Sequence, residues 1–91
     1  MKTIEVELIG DAVNATVVRL PTRRFPGVVI QGDSLAILHA MTETVAASMA
    51  KGDIAEAREA ATELRDLLAS YRHAYEAQMK AAGLELPYPP R

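Results

Sequence analysis

Polar and apolar residues alternate strictly in Thr3-Ile4-Glu5-Val6-Glu7-Leu8, the period-two signature of a half-buried strand. On that pattern Ile4, Val6 and Leu8 are expected to face a core, with Glu5 and Glu7 in water. Gly10-Asp11 breaks the run, and Thr16–Leu20 follows as a second strand. Pro21 ends it, because proline cannot donate to a ladder. Pro26-Gly27 is a further turn signal, and Val28-Val29-Ile30-Gln31 reads as a third strand. Connections this short favour an antiparallel meander. Thr3, Glu5, Glu7, Val17, Arg19, Val29 and Gln31 are assigned to its outer face. There Glu5 or Glu7 opposite Arg19 would make a cross-strand pair.

Near residue 33 the period changes. Leu35, Leu38, Met41, Val45 and Met49 recur at helical spacing after Asp33 or Ser34, both good N-caps. Gly52 stops this helix, and Asp53-Ile54-Ala55-Glu56 has capping-box-like spacing, so a second helix starts at once. The tight break makes the pair an antiparallel hairpin. The second helix runs to about Ala82, ahead of Gly83 and Pro87. The expected architecture is a single α+β domain with a three-stranded antiparallel sheet and a helical hairpin whose second helix is long. Its parts are a meander over 1–32, helices over 33–51 and 53–83, and a tail over 84–91. The tail has polyproline character, although Leu84 and Leu86 flanking Glu85 would also let it complete a sheet edge.

On the second helix, Ala57, Ala61, Leu64, Leu68, Tyr71, Tyr75, Gln78 and Ala82 follow alternating spacings of four and three, a heptad seam with one polar member. At 1.5 Å per residue this helix is roughly 40 Å long and the first roughly 25 Å. Something beyond the first helix must therefore cover Tyr71, Tyr75 and Met79. The sheet of the same chain could do so, or the same helix of another copy. Leu64, Leu68, Tyr71, Tyr75 and Met79 are thus the candidate interface of a homo-oligomer. Chain length points the same way. At 91 residues without cysteine, a lone copy has a modest core and no disulfide to reinforce it.

A formal charge of −2 argues against a strongly basic nucleic-acid binder. No apolar run reaches the ~18–20 residues of a membrane span, and the amino terminus lacks the pattern of a signal peptide, so a cytoplasmic location is expected. Catalytic machinery is thin. Ser34 lacks the small-residue elbow of a hydrolase nucleophile and suits a cap. His39 and Glu43, at i,i+4, could put two ligands on one helix face, but two ligands do not make a metal site. No catalytic residue, metal or cofactor is expected.

The most pointed stretch is RRFPGVVIQGDSL, Arg23 to Leu35. Arg19, Arg23 and Arg24 concentrate positive charge, guanidinium forks suit phosphate or carboxylate, and Phe25 could stack on a flat ligand. Asp33, however, supplies its own carboxylate to the helix end where an anion would sit, and no glycine-rich phosphate motif is present. The run VVRLPTRRFPGVVIQGDSL, with a helical pair after it and GLELPY near the end, resembles a family of small bacterial and phage-borne proteins known only as a domain of unknown function. That resemblance implies a stand-alone α+β unit and brings no activity or cofactor. Two readings follow. One is a non-catalytic homo-oligomeric binder of a small anionic ligand such as a nucleotide, held by Arg19, Arg23, Arg24, Phe25 and Gln31. The other is a protein-interaction module of inhibitor or immunity type, working through the second helix.

Overall fold

The computed structural model describes residues 1–11 and 14–89; the last two residues of the expected tail lie outside that range. In chain order the elements are β1 (Glu7–Leu8), β2 (Val17–Arg19), β3 (Gly27–Val28), α1 (Gly32–Lys51) and α2 (Ile54–Ala81). The three strands form one antiparallel sheet in the order β1-β2-β3, and an antiparallel helical hairpin with the longer helix second completes the α+β fold. The strands are shorter than their sequence patterns, and residues 3–6 lie outside the ladder. No helix among the described residues is long and apolar enough to cross a membrane. The chain gathers into two compact units, Met1–Ile30 with Tyr71–Arg91, and Gln31–Ser70.

In the first unit β1 and β2 show the opposite face to the one their alternation suggested, while Val29, also assigned outward, is 50% exposed as expected. Ile4, Val6 and Leu8 are 56%, 43% and 65% exposed, whereas Val17, assigned outward, is fully buried. The register Glu7↔Arg19 and Val17↔Val28 puts Glu7, Val17, Arg19 and Val28 on one side of the pleat. Val17 joins Tyr75 and Met79 of α2 in the core, with Ile9, Val28, Leu84, Leu86 and Tyr88 packed around them. Strand parity is decided where Val17 meets the helix, and a shift of one residue inverts every side chain. Glu7 and Arg19 lie at the rim of that same face. They form a two-pronged pair, Arg19 Nε to Oε1 at 2.9 Å and Nη2 to Oε2 at 3.0 Å.

Gln78 ties this part of α2 to β2. Its Oε1 accepts the Val17 N–H at 3.1 Å, and its Nε2 donates to the Ala15 carbonyl at 2.9 Å and to that of Ala74 at 3.1 Å. The carboxamide thus serves the strand as a neighbouring peptide group would, satisfying backbone groups that are costly to bury unpaired. Gly10 lies so close to Gln78 that a Cβ there would overlap the side chain. The tyrosines extend this bracing. Tyr75 donates its hydroxyl to the Pro26 carbonyl at 2.7 Å, and Tyr88 donates to Glu76 Oε2 at 2.8 Å. Their rings stack with centroids 6.4 Å apart. Residues 84–89 form no strand and attach through Leu84, Leu86 and Tyr88 instead.

Capping explains why both helices stop where they do. Gly52 is left-handed (φ 76°), with its N–H on the Met49 carbonyl and the Asp53 N–H on that of Ser48. Gly83 (φ 70°) repeats this Schellman arrangement with Lys80 and Met79, where glycine avoids the Cβ penalty. Asp53 caps α2 by accepting the Glu56 N–H at 3.1 Å. The start of α1 is a correction. It begins at Gly32, and its N-cap is Gln31 in extended conformation, rather than Asp33 or Ser34. Asp33 instead lies in the first turn, its Oδ1 accepting the Ser34 N–H at 2.8 Å, where a carboxylate favours the helix dipole. The second unit buries Leu38 and Ser48 of α1 with Ala57 and Ala60 of α2.

Candidate functional site

The arginine corner is built on a strained turn. Pro21 and Thr22 occupy its centre, and the Arg23 N–H returns to the Leu20 carbonyl at 3.2 Å. Thr22 has φ 70°, a conformation that turns of this kind usually reserve for glycine. Two of the three arginines are already engaged. Arg19 is paired with Glu7, and its Nη1 also donates to the Arg24 carbonyl at 3.4 Å. Arg24 stacks over Phe25, 5.1 Å from the ring centroid, so a cation already covers the ring expected to receive a ligand. Arg23 is exposed and makes no side-chain hydrogen bond or ion pair among the described residues. Gln31 is the N-cap of α1 and belongs to the second unit, not to a strand beside these arginines.

Charge and burial shift several groups. The Arg19 hydrogen bonds, and then its charge, hold the Glu7 carboxyl below the ordinary glutamate value, while Glu7 raises Arg19 in return. Hydrogen bonds from Tyr88 and Arg72 lower Glu76. Arg72 reaches Glu76 Oε2 at 3.0 Å and lies 4.8 Å from the Tyr88 ring centroid. Burial raises Tyr75, and burial followed by the Glu76 contact raises Tyr88. These groups brace the first unit. His39 Nε2 lies 3.2 Å from Glu43 Oε1 on an exposed face, a surface pair. No three His, Cys, Asp or Glu side chains converge on one point among the described residues.

The candidate interface residues divide at the boundary between units. Tyr75 and Met79 are 7% and 0% exposed, covered by Val17 and its neighbours. An outside surface therefore cannot reach them, which corrects their assignment to an interface. The sheet of the same chain is what covers this stretch of α2. Tyr71 is half-buried. Leu64 and Leu68, in contrast, line an open groove of about 530 Å³ on the hairpin, with Ala61 and Arg65 beside them and Thr42, Val45 and Ala46 opposite.

The groove has a sequence signature that the first reading of the periodicity missed. On α1, the buried or half-buried positions 34, 38, 41, 45 and 48 form the seam toward the hairpin partner. A second stripe, Leu35, Thr42, Ala46 and Met49, runs beside it at heptad-like spacing. On α2, Ile54, Ala61 and Leu68 repeat every seven residues in the same way, while Ala60 rather than Ala61 is buried. Leu35, Met49, Ile54 and Leu68 are 60%, 56%, 49% and 47% exposed. Each helix therefore carries an inner seam and an outer apolar stripe. Among the described residues the outer-stripe positions are exposed.

Comparison with known families places the chain plainly. Residues 1–88 match a family of unknown function, DUF6959, to which the chain belongs. No curated protein and no solved structure matches it.

Proposed function

We propose that this member of the family is a non-catalytic protein-interaction module that receives a helical partner on the outer face of its hairpin. The observation that carries this reading is the apolar groove between Thr42, Val45 and Ala46 of α1 and Ala61, Leu64 and Leu68 of α2. Small alanines (Ala46, Ala61) and branched residues (Val45, Leu64, Leu68) line it together, a surface suited to an amphipathic helix docking through i, i+3, i+4 and i+7 anchors. Leu64 and Leu68, expected as interface positions from their spacing, are among the α2 residues that line it.

The alternative, a small anionic ligand at the arginine corner, has less support. Its charge clamp is reduced to Arg23, since Arg19 and Arg24 have partners within the unit. Met49→Glu/Leu68→Glu and Arg23→Ala/Arg24→Ala variants separate the two readings. Both changes fall on exposed positions, so each variant should keep the wild-type circular dichroism spectrum. Tagged wild-type protein, mixed with lysate of the producing cells, is expected to capture a partner that the arginine variant retains and the hairpin variant loses. Stabilisation by nucleotides or sugar phosphates, abolished in the arginine variant, would instead support the ligand reading.

A further inference from the structure

We infer that the partner on the hairpin face is a second copy of this chain, the two hairpins closing into a four-helix bundle with each α1 lying over the other copy's α2. This rests on the reading of the hairpin as an interaction face and names its occupant.

Three observations carry it. The first is that α1 is apolar around most of its circumference, with Asp33, Glu43 and Lys51 its only charged residues besides His39. A helix of that kind belongs in an interior, yet Leu35 and Met49 remain more than half exposed. The inner seam alone leaves α1 half covered.

The second is area. A 20-residue helix is about 30 Å long, and two packed helices are about 20 Å across. The hairpin face therefore has a footprint of roughly 600 Å², close to the ~800 Å² of accessible surface that each partner contributes to a standard stable interface. An isolated partner helix would cover only about half of it, whereas a second hairpin matches it in length and width.

The third is the sign of the charges at its margins. Outside the apolar stripe α2 carries Arg58 and Arg65, seven residues apart, and α1 carries Glu43. Among the described residues, Glu43 has only the surface contact with His39, and Arg65 only that with the adjacent Asp66, both weak and exposed. Two hairpins related by a two-fold axis along the helices place α1 of each copy over α2 of the other. Heights along the bundle are kept, so Glu43 meets Arg65 of the second copy on both sides. The competing arrangement, α1 on α1, sets Glu43 against Glu43 and Arg65 against Arg65. Self-complementary contacts of the favoured kind close automatically as a dimer.

Native mass spectrometry and light scattering of the purified full chain test the stoichiometry, and the expected result is a dimer that Met49→Glu/Leu68→Glu converts to a folded monomer. Glu43→Arg should weaken dimerisation roughly tenfold, with Arg65→Glu added on the same chain restoring it. The chain has no cysteine, so Ala46→Cys on one chain and Ala61→Cys on another should cross-link when mixed, and more than either does alone. A wild-type monomer at high micromolar concentration overturns the inference. So does a dimer that survives Met49→Glu/Leu68→Glu, or cross-linking of each cysteine only with itself. Capture of a different protein by a wild-type monomer, lost in the hairpin variant, would leave the interaction module standing while removing the second copy. A monomer that captures nothing through this face would remove both.

Discussion

Gln78 shows how one side chain can substitute for a missing strand. It was legible in the sequence as the polar member of a heptad seam, a position often used to set register between helices. Its carboxamide in fact serves the backbone of residues 15 and 17, and Gly10 is the residue that lets the chain pass beside it. Gln78→Ala would leave the Val17 N–H and the Ala15 carbonyl without that partner. The expected loss is about 2 kcal/mol, read as a fall in Tm on the order of 10 °C. Gln78→Glu keeps the acceptor for Val17 but cannot donate to Ala15 or Ala74, so it should recover only part of the loss. An unchanged Tm for Gln78→Ala would show that water replaces the amide at no cost.

Among the elements, the turn between β2 and β3 departs furthest from local preference. A β-branched residue at φ 70° is strained by about 1–2 kcal/mol. Thr22→Gly is expected to stabilise the fold by about 1 kcal/mol, since glycine removes the strain but loses more chain entropy. Thermal unfolding measures this directly, and destabilisation would mean that the Thr22 side chain makes a contribution larger than its strain. The same turn presents Arg23, so the variant also asks whether the strained geometry matters to whatever meets the corner. The helices were easier to read, because Gly52, Asp53 and Gly83 act locally through their own backbone conformation or nearest N–H groups. The strands were not. The two-residue ladder of β1 is set by β2, which runs into Pro21 and leaves residues 3–6 without a neighbour.

For the whole molecule, the pKa shifts predict a window of stability. Glu7 and Glu76 are lowered in the fold, so their stabilisation is complete above the ordinary value of 4.5 and is lost as pH falls through their lowered native values. Tyr75 and Tyr88 are raised, so their contribution is complete below the ordinary value of 10.0 and is lost as pH rises through the raised ones. Tm measured against pH should therefore hold a plateau between these limits and decline at both ends. Glu76→Gln is expected to make the acid decline shallower, and an unaltered acid limb would remove Glu76 from this account. None of these shifted groups is among the residues that line the hairpin groove, so a dimer formed through it should persist across the plateau.

Element type, helix boundaries within two residues and the antiparallel hairpin were determined by the sequence alone, because period, caps and glycines act within one turn of the chain. The pairing of a glutamate with Arg19 was legible too, since opposite charges on neighbouring strands mark a face whichever way it points. Only the tertiary structure decided which face of the sheet is inside. Alternation fixes two sides without saying which of them meets a helix, and the contact of Val17 with Tyr75 and Met79 chose the side that leaves Ile4, Val6 and Leu8 exposed. It also decided how the long helix divides. Tyr75 and Met79 are consumed by their own sheet, while Leu64 and Leu68 stay open, because a heptad stripe specifies burial and not the surface that provides it.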